Sequence, residues 1–402
     1  MKKIVITGIG AVTPIGIGVE NYWNALLNGE CGIEEITKID TEKLPLKRAA
    51  EIKNFKPRDY MTAKLSSDMD PFMQFAYVSA KEAINQAGIE EFDANRTGIV
   101  MGTALAGMNT TGETQVNYEL KGKHVNPKFL AKVMGNIAAA YLSIEYGIKG
   151  PSITVSTACS SGGDAIMTAN MILQSGMADM MIVMGGESAV SPLVINSLTL
   201  SGALSKTGSS RPFDVNRNGF VIGEGGGAII LETEEHAKKR NAKIIATLLG
   251  CANNTDAYNP VAPAPDGSGA AECMKIAINN AGISADDIGY INAHGTATLK
   301  GDIAETTAIR NVFGDRDVLV SSTKGATGHL MGAGGITECI ACIKAIETGI
   351  IPPTVNCDEV DPECNANIVT KKPKKADISV AMSNALGFGG QNSSIIVGRY
   401  EG

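Results

Sequence analysis

Short runs of β-branched and other apolar residues alternate with stretches of helical periodicity along the whole chain. The strand candidates are 3–7, 98–102, 152–156, 179–184, 228–231, 244–249, 318–322 and 394–398. The helix candidates are 71–87, 129–145, 160–175, 269–281 and 330–347. Strands rich in Val, Ile and Met with few polar positions are typical of sheets that are buried on both faces. The alternation of such strands with helices predicts βαβ units, parallel strands and an α/β fold.

The chain contains a weak internal repeat. The segment AINQAGI at 83–89 returns as AINNAGI at 277–283, and each copy precedes an acidic stretch and a strand that contains glycine. Between the repeats, the region 232–243 has charged residues at the i,i+4 spacing of an exposed helix. We therefore predict two related halves, residues 1–241 and 242–402, that pack as one body.

Composition and charge narrow the class of protein. The chain has 402 residues, 44% of them hydrophobic, which is enough for a large core without disulfide or metal cross-links. Its net charge of −7 is opposite to the basic surface of a typical nucleic-acid binder. Eight cysteines are scattered along the chain, an arrangement typical of reduced thiols in the cytoplasm. No apolar run reaches the roughly 18 residues of a transmembrane helix, so we expect no membrane span.

Three segments resemble common ligand-binding motifs, but each lacks a necessary part. In the opening GIGAVTPIG, Thr13 stands where a dinucleotide-binding loop has its third glycine. The run GEGGG at 223–227 precedes a strand candidate, so it does not open a helix that could bind phosphate. Cys339 and Cys342 have no second cysteine pair or histidine at metal-binding spacing. We therefore predict neither a nucleotide site nor a metal site.

Three reactive side chains stand where a predicted strand is followed by a turn of small residues. Cys159 lies in STACSSGG, His294 in NAHGTATLKGD and His329 in SSTKGATGHLMGAGG. A thiol at the start of a helix feels the helix dipole, which favours the thiolate. Two neutral histidines that donate to one carbonyl oxygen could stabilise the enolate that forms when CO₂ leaves. We also expect Lys324 and Glu305 to form an ion pair that orients the histidines.

The same residues leave a cysteine-protease hypothesis open. A protease of this kind needs a cysteine, a histidine and an orienting amide or carboxylate, and Asn292 or Asp302 could supply the third group. That mechanism gives no role to the second histidine-bearing loop.

The order of the motifs resembles a known family. STACSSGG, NAHGTATLKGD, SSTKGATGHLMGAGG and a fourth motif, NALGFGGQN, are similar to those of the elongating, type II β-ketoacyl-acyl-carrier-protein synthases. The resemblance extends to the opening segment, the block 211–232 and the loop 256–267, and so spans nearly the whole chain. It implies a thiolase-like α/β fold in which duplicated halves form five layers, α-β-α-β-α, usually in a homodimer. The half 1–241 would carry the nucleophilic cysteine, and the half 242–402 the two histidines.

The resemblance implies a role for each reactive residue. Cys159 would accept the acyl group, and His294 and His329 would bind the malonyl thioester carbonyl and promote loss of CO₂. Lys324 would support the site electrostatically, together with Glu305. The family needs no cofactor of its own, because the phosphopantetheine arrives on the carrier-protein substrate.

Other positions match the substrate-binding residues of the family. Phe388 would be the gate residue, and its amide would form the oxyanion hole with the amide of Cys159. Thr296 and Thr298 would contact the phosphopantetheine arm, and Leu105 would line the acyl pocket. The basic residues that remain to receive an acidic acyl carrier protein are Lys64, Lys123, Lys128 and Lys206, together with His124.

The chain departs from the family at four positions. Ser67 and Asp68 stand where family members often place basic residues for the carrier protein. Val261 replaces a hydroxyl residue, and Leu299 replaces a proline that many members have. The patch for the carrier protein is therefore thinner, and one hydrogen bond to the pantetheine arm is lost.

These observations predict a decarboxylative Claisen condensation. An enzyme-bound acyl group would react with malonyl-acyl-carrier-protein to give 3-oxoacyl-acyl-carrier-protein, the step that elongates fatty acids. One alternative is a ketosynthase of a type II polyketide or aryl-polyene pathway. Another is a non-catalytic chain-length partner subunit in a heterodimer, in which the nucleophile is replaced. The intact Cys159 argues against that second alternative.

Overall fold

The computed structural model describes residues 2–402 of the chain. Its strands are β1 (Ile4–Thr13), β2 (Gly16–Ile17), β3 (Glu34–Glu35), β4 (Arg48–Ala49), β5 (Thr97–Gly102), β6 (Ser152–Val155), β7 (Met180–Ser188), β8 (Glu224–Thr233), β9 (Ala246–Thr255), β10 (Tyr290–Asn292), β11 (Leu319–Ser321), β12 (Ile350–Ile351), β13 (Asn367–Ile368), β14 (Lys374–Lys375), β15 (Val380–Gly387) and β16 (Gln391–Gly398). Its α-helices are α1 (Val19–Leu27), α2 (Ala63–Asp68), α3 (Pro71–Gln86), α4 (Met108–Lys121), α5 (Phe129–Val133), α6 (Ile137–Tyr146), α7 (Ser161–Ser175), α8 (Pro192–Leu200), α9 (Glu234–Lys239), α10 (Ser268–Ala281), α11 (Leu299–Phe313), α12 (Lys324–Thr327) and α13 (Gly334–Thr348).

One large sheet runs through the molecule in the order β13-β11-β10-β15-β16-β9-β1-β8-β7-β5-β6. The predicted parallel pairing holds on its two sides, where β5 pairs with β6 and β7, and β10 pairs with β11 and β15. The prediction is wrong for the middle of the sheet, where β15, β16, β9, β1, β8 and β7 pair antiparallel in succession. On one side the cause is local, because the short turn between β15 and β16, with left-handed Gly389 and Gly390, reverses the chain.

The helices and strands form five layers. Helix α7 contacts β5 and β7 on one side and β9 and β16 on the other, and α13 likewise contacts both β8 and β15. These two helices therefore form the central layer. Helix α3 covers the opposite face of β1, β7 and β8, while α10 covers β9 and β16 and packs against α11. The central position of α13 explains its sequence, because every residue from Gly334 to Ile346 is buried.

The first turns of the two central helices approach each other through glycine. A Cβ atom added to Gly162 of α7 would lie 2.9 Å from the backbone nitrogen of Ile336 in α13. A Cβ atom added to Gly335 of α13 would lie 2.7 Å from the backbone nitrogen of Gly163. Both distances are shorter than a side chain tolerates, so the backbones approach this closely only because the residues are glycines. This contact brings the turn that precedes α7 against the turn that precedes α13.

Several helices and strands begin or end at residues other than those predicted, because of tertiary contacts. The predicted helix 129–145 is two helices, α5 and α6, separated at Gly135, where a Cβ atom would lie 3.0 Å from Thr103. The run 223–227, which we placed before a strand, lies mostly within β8. Its glycines are in a strand because helices pack closely on both faces: a Cβ on Gly226 would meet α3, and one on Gly227 would meet α13.

Within residues 2–402, no helix has both the length and the apolar character that are needed to cross a lipid bilayer.

The glycine contact between the central helices generates a stability prediction. Gly335→Ala should lower the free energy of unfolding by about 1–3 kcal/mol, because the new methyl group must push the backbones of α7 and α13 apart. Chemical denaturation followed by circular dichroism measures this change. Gly112→Ala in α4 is the matched control, since no atom lies within 4 Å of the Cβ position there. This control should be neutral or slightly stabilising; equal effects of the two substitutions would contradict the prediction.

Candidate active site

Cys159 lies in a tight turn between β6 and α7. The turn, Ala158–Ser160, is one turn of 3-10 helix, and Ala158 enters it with a left-handed φ of 52°. The hydroxyl of Ser161 accepts a hydrogen bond from the Thr157 backbone N–H at 2.9 Å, and the hydroxyl of Ser160 donates to the Thr157 carbonyl at 2.7 Å. These local bonds hold the thiol at the start of α7, where it is only 9% exposed.

His329 contacts the thiol directly. Its backbone is fixed to the segment before β8, because its N–H donates to the Val221 carbonyl at 2.8 Å and its carbonyl accepts from Gly223 at 2.9 Å. The ring atom Nδ1 accepts a hydrogen bond from the Met331 backbone N–H at 3.3 Å. In the neutral ring the proton therefore lies on Nε2, which is 3.1 Å from the sulfur of Cys159. His329 is thus arranged as a donor toward the thiol.

His294 packs against His329. The two ring centroids are 5.3 Å apart, with the rings nearly perpendicular at 83°. The Glu305 carboxylate fixes this loop, because it accepts hydrogen bonds from the backbone N–H groups of His294 at 2.7 Å and Gly295 at 2.8 Å. Among residues 2–402, Nδ1 of His294 is buried without a hydrogen-bond partner.

Burial keeps both imidazole rings neutral. It lowers the pKa of His294 and of His329 well below the ordinary value, and the positive charge of Lys324 lowers both pKa values further. Two neutral rings at one point of the site are therefore available as hydrogen-bond donors at neutral pH.

The ion pair of the site differs from our expectation. Lys324 pairs with Glu338 of α13, and both side chains are buried. The expected partner, Glu305, instead uses both carboxylate oxygens to hold the His294 loop, and burial raises its pKa to about 7. The predicted Lys324–Glu305 ion pair is therefore wrong. The sequence held one signal for Glu338, since it is the one charged residue in the stretch GGITECIACI of the predicted helix 330–347.

The environment of the thiol also differs from our expectation. Burial raises the pKa of the Cys159 thiol to about 11, although the charge of Lys324 and the backbone amide of Phe388 both act to lower it. The expected stabilisation of the thiolate by the start of α7 is therefore outweighed by loss of hydration. The backbone amide of Phe388 acts on the sulfur as a hydrogen-bond donor. Its role in an oxyanion hole stays a prediction.

The reactive groups open into one cavity of about 840 Å³. The predicted site residues that line it are Cys159, His294, His329, Glu305, Phe388, Thr296, Thr298, Leu105 and Lys206. One wall is apolar and includes Leu105, Met108 and Val194. Along another wall, the hydroxyls of Thr296 and Thr298 are 3.2 Å apart. The cavity lining therefore combines apolar side chains, two hydroxyl groups and the thiol.

Four predicted residues do not line this cavity. Lys324 is buried and paired with Glu338. Lys64, Lys123 and Lys128 lie elsewhere on the surface, and Lys128 forms an ion pair with Asp68 at 2.6 Å.

Sequence reasoning missed one support of the nucleophile turn. The carboxylate of Asp164, one turn into α7, accepts a hydrogen bond from the hydroxyl of Thr157 at 2.5 Å. It also accepts from the Asn253 side chain of β9 at 2.9 Å. Asp164 therefore links the turn that carries Cys159 to strand β9. The only signal was an acidic residue in the first turn of a helix.

Comparison with known proteins identifies the family. The model of the beta-ketoacyl synthase N-terminal domain matches residues 1–237, and that of the C-terminal domain matches residues 245–358. The chain belongs to the beta-ketoacyl synthase family. The protease hypothesis is thereby excluded.

Relatives of this beta-ketoacyl synthase match over its full length. A 3-oxoacyl-[acyl-carrier-protein] synthase 2 of Staphylococcus aureus (strain COL) is 40% identical over 409 residues, covering 100% of this chain and 99% of the relative. The protein of the same name from Synechocystis sp. is 38% identical over 410 residues, with coverage of 100% and 99%.

Solved structures confirm the thiolase-like fold. The ishigamide ketosynthase/chain length factor has a TM-score of 0.95 and 31% identity, and a beta-ketoacyl synthase from Burkholderia phymatum STM815 has 0.92 and 31%. A type II polyketide ketosynthase in complex with its acyl-carrier protein, AntDE:AntF, has 0.90 and 29%. In each case, 100% of both chains is covered.

The raised pKa of the thiol generates a prediction about alkylation. Only the thiolate reacts with iodoacetamide, so the rate at Cys159 should rise roughly tenfold per pH unit between about pH 7 and pH 9.5. The alkylation rate rises with pH because burial raises the pKa of the thiol to about 11, so that the thiol is protonated at neutral pH. Peptide mass spectrometry resolves Cys159 from the exposed Cys31. A rate that levels off below about pH 8 would show instead that the thiolate is stabilised.

Proposed function

We propose that Cys159, His294 and His329 together catalyse a decarboxylative Claisen condensation between an enzyme-bound acyl group and malonyl-acyl-carrier-protein. The observation that carries this assignment is the position of one sulfur 3.1 Å from one of two neighbouring neutral imidazoles, at the wall of a largely apolar cavity. The product is 3-oxoacyl-acyl-carrier-protein, the activity for which the relatives at 40% and 38% identity are named.

The first half-reaction loads the acyl group. The sulfur of Cys159 attacks the thioester carbonyl of the acyl carrier, a new C–S bond forms, and the bond to the carrier's sulfur breaks. The thiol proton leaves with the carrier as its free thiol. The backbone amides of Cys159 and Phe388 stabilise the oxyanion that forms on the way. The Nε2–H of His329 stabilises the charge that develops on the sulfur.

The second half-reaction breaks a C–C bond. The malonyl thioester oxygen accepts hydrogen bonds from the Nε2–H group of His329 and from a ring N–H group of the neutral His294. The bond to the carboxylate breaks, CO₂ leaves, and its electron pair becomes an enolate that these donors stabilise. The nucleophilic carbon then attacks the acyl thioester carbonyl on Cys159, a C–C bond forms and the C–S bond breaks. The sulfur leaves as a thiolate, which takes up a proton from solvent. The role of His329 as donor follows from the Met331 amide, which occupies Nδ1.

Lys324 and Glu305 act on the site without touching the reacting atoms. The charge of Lys324 lowers the pKa of both imidazoles, which keeps them neutral, and favours negative charge on the sulfur. Glu305 fixes the loop of His294 through two backbone N–H groups. Lys324 is itself held by Glu338.

The phosphopantetheine arm belongs to the substrate in this proposal. Its amides would bind the hydroxyls of Thr296 and Thr298 on the cavity wall. Val261, which is 51% exposed at the same cavity, offers only apolar contact to the arm. The proposed reaction uses no metal or redox cofactor, because each step is a polar bond exchange.

Four lysines are proposed to receive an acidic acyl carrier protein. Because the whole enzyme has a net charge of −7, a local positive patch is needed to steer an acidic partner. Lys206 lines the cavity, and Lys64 and Lys123 are exposed. Lys128 is partly neutralised by Asp68, so it should contribute least.

A homodimer is the proposed assembly. Strand β6 is the edge of the large sheet, and its first two residues, Ser152 and Ile153, are exposed. An exposed edge strand with an apolar residue is a pairing surface, which a second copy would cover. Pairing with a chain-length factor instead would give the heterodimer alternative. Within each protomer we propose the halves 1–241 and 242–402, and we propose a cytoplasmic location, consistent with the free cysteines.

Polyketide synthesis is the second candidate pathway. The ishigamide and AntDE structures support it, since both match the whole chain at 31% and 29% identity. Fatty-acid elongation is favoured because the 3-oxoacyl-[acyl-carrier-protein] synthase 2 relatives match at 40% and 38%. Condensation assays with saturated and with β-keto or polyenoyl acyl carriers distinguish the two pathways.

The central test uses the separate proposed roles of the Cys159 sulfur and the two imidazoles. Cys159→Gln should abolish condensation but retain or raise the decarboxylation of malonyl-acyl-carrier-protein, because both histidines remain. The two rates are measured as 3-oxoacyl product and as CO₂ release. Cys31→Ala, at an exposed cysteine outside the cavity, should leave both unchanged.

The complementary variant removes a donor. Adding His329→Ala to Cys159→Gln should cut decarboxylation by roughly 10²–10³-fold, the cost of losing one oxyanion-type hydrogen bond. Condensation by the Cys159→Gln enzyme would end the covalent mechanism. Undiminished decarboxylation by the double variant would show that His329 has another role.

A further inference from the structure

A buried carboxylate that has no role in the proposed mechanism bonds to two backbone segments at the cavity. Glu187 lies near the end of β7 and is fully buried. Its carboxylate accepts hydrogen bonds from the backbone N–H groups of Ala104 at 2.7 Å, Leu105 at 3.1 Å and Gly332 at 3.1 Å. The hydroxyl of Thr103 is a fourth donor, at 3.4 Å.

The donors come from two segments with different tasks. Ala104 and Leu105 follow β5 and line the cavity. Gly332 belongs to the turn 331–333, directly after Met331, whose N–H donates to Nδ1 of His329. One carboxylate therefore bonds both to the acyl-side loop and to the backbone next to the amide that sets the His329 tautomer.

The energetics show that this arrangement is costly. A fully buried carboxylate loses its hydration, and burial raises the pKa of Glu187 to about 7. The four N–H and O–H donors compensate part of this cost, and all four need an acceptor. An apolar side chain would avoid the burial cost but would leave these donors unpaired, so the carboxylate is what keeps the two segments together.

We propose that Glu187 is a positioning residue that holds the acyl-side loop 103–105 and the histidine turn 329–332 in fixed relation, so that the acyl group on Cys159 and the imidazole of His329 meet the same malonyl substrate. This inference rests on the proposed function. Glu187 touches no reacting atom; it acts through the backbone of both segments.

The test is Glu187→Gln in the full-length enzyme. The glutamine has nearly the same shape, but its NH₂ group faces backbone N–H donors, so at least one of the two segments loses its contact. Per active site, counted by acylation of Cys159, kcat for malonyl decarboxylation and for condensation should fall roughly 10- to 100-fold, because small displacements of reacting groups are costly. KM for malonyl-acyl-carrier-protein should change less than about twofold, because Thr296 and Thr298 are untouched.

Glu82→Gln is the matched control. Glu82 also accepts two backbone N–H bonds, from Ala11 at 2.9 Å and Val19 at 2.8 Å, but it does not line the cavity. This variant should lower the thermal midpoint while leaving kcat per active site unchanged. A purely structural role for Glu187 would make the two variants alike: fewer active sites, each with normal kcat. That outcome would overturn the proposal.

A milder pair of variants covers the case in which Glu187→Gln does not fold. Thr103→Val removes one donor to Glu187, and Thr103→Ser retains it. The valine variant should lower kcat per active site about two- to fivefold for decarboxylation as well as for condensation, and the serine variant should match wild type. Equal kcat in both variants would overturn the proposal.

Measurements on the wild-type enzyme distinguish a failure of the proposed function from a failure of the proposed role of Glu187. If it neither accepts acyl groups nor decarboxylates malonyl-acyl-carrier-protein, the proposed function fails. If the wild-type enzyme does both, and Glu187→Gln has the same kcat per active site, only the proposed role of Glu187 fails.

Discussion

The close approach of the two central helices determines the geometry of the active site. Because Gly162 and Gly335 let the first turns of α7 and α13 touch through their backbones, the turn of Cys159 and the turn of His329 lie side by side. The resulting distance from sulfur to Nε2 is 3.1 Å. The two side chains are 170 residues apart in sequence and precede the two helices of the central layer, so this contact exists only when the fold has brought those helices together. The geometry of the site therefore depends on the packing of the whole fold.

The second constraint is the exclusion of water around several buried charges. Lys324 and Glu338 form a buried ion pair, and the neutral histidines lie close to its positive end. Loss of hydration lowers the pKa of the imidazoles and raises that of the thiol, so the resting site is uncharged at the reacting atoms. In the proposed mechanism, charge develops at these atoms only during the reaction, next to donors that are already oriented. Such preorganised donors need no rearrangement when the oxyanion forms.

Much of this site could be predicted from the sequence. Cys159 and the two histidines stand in turns after strands, and such turns meet at one edge of an α/β sheet. The partner of Lys324 could not be predicted, because Glu338 reaches it only through the packing of α13 in the centre of the molecule. The antiparallel middle of the sheet and the split of the predicted helix 129–145 depend likewise on contacts between segments that are distant in sequence. The raised pKa of the Cys159 thiol comes mainly from burial, which local motifs do not encode.

The most direct test of the central claim is mass spectrometry of the wild-type protein after incubation with saturated acyl-acyl-carrier-protein and no malonyl donor. The account predicts a mass increase of one acyl group, released by hydroxylamine and located on the peptide that contains Cys159. It also predicts that added malonyl-acyl-carrier-protein removes this adduct as 3-oxoacyl product appears. An acyl group on a different residue, or product formation with Cys159 unmodified throughout, would contradict the account.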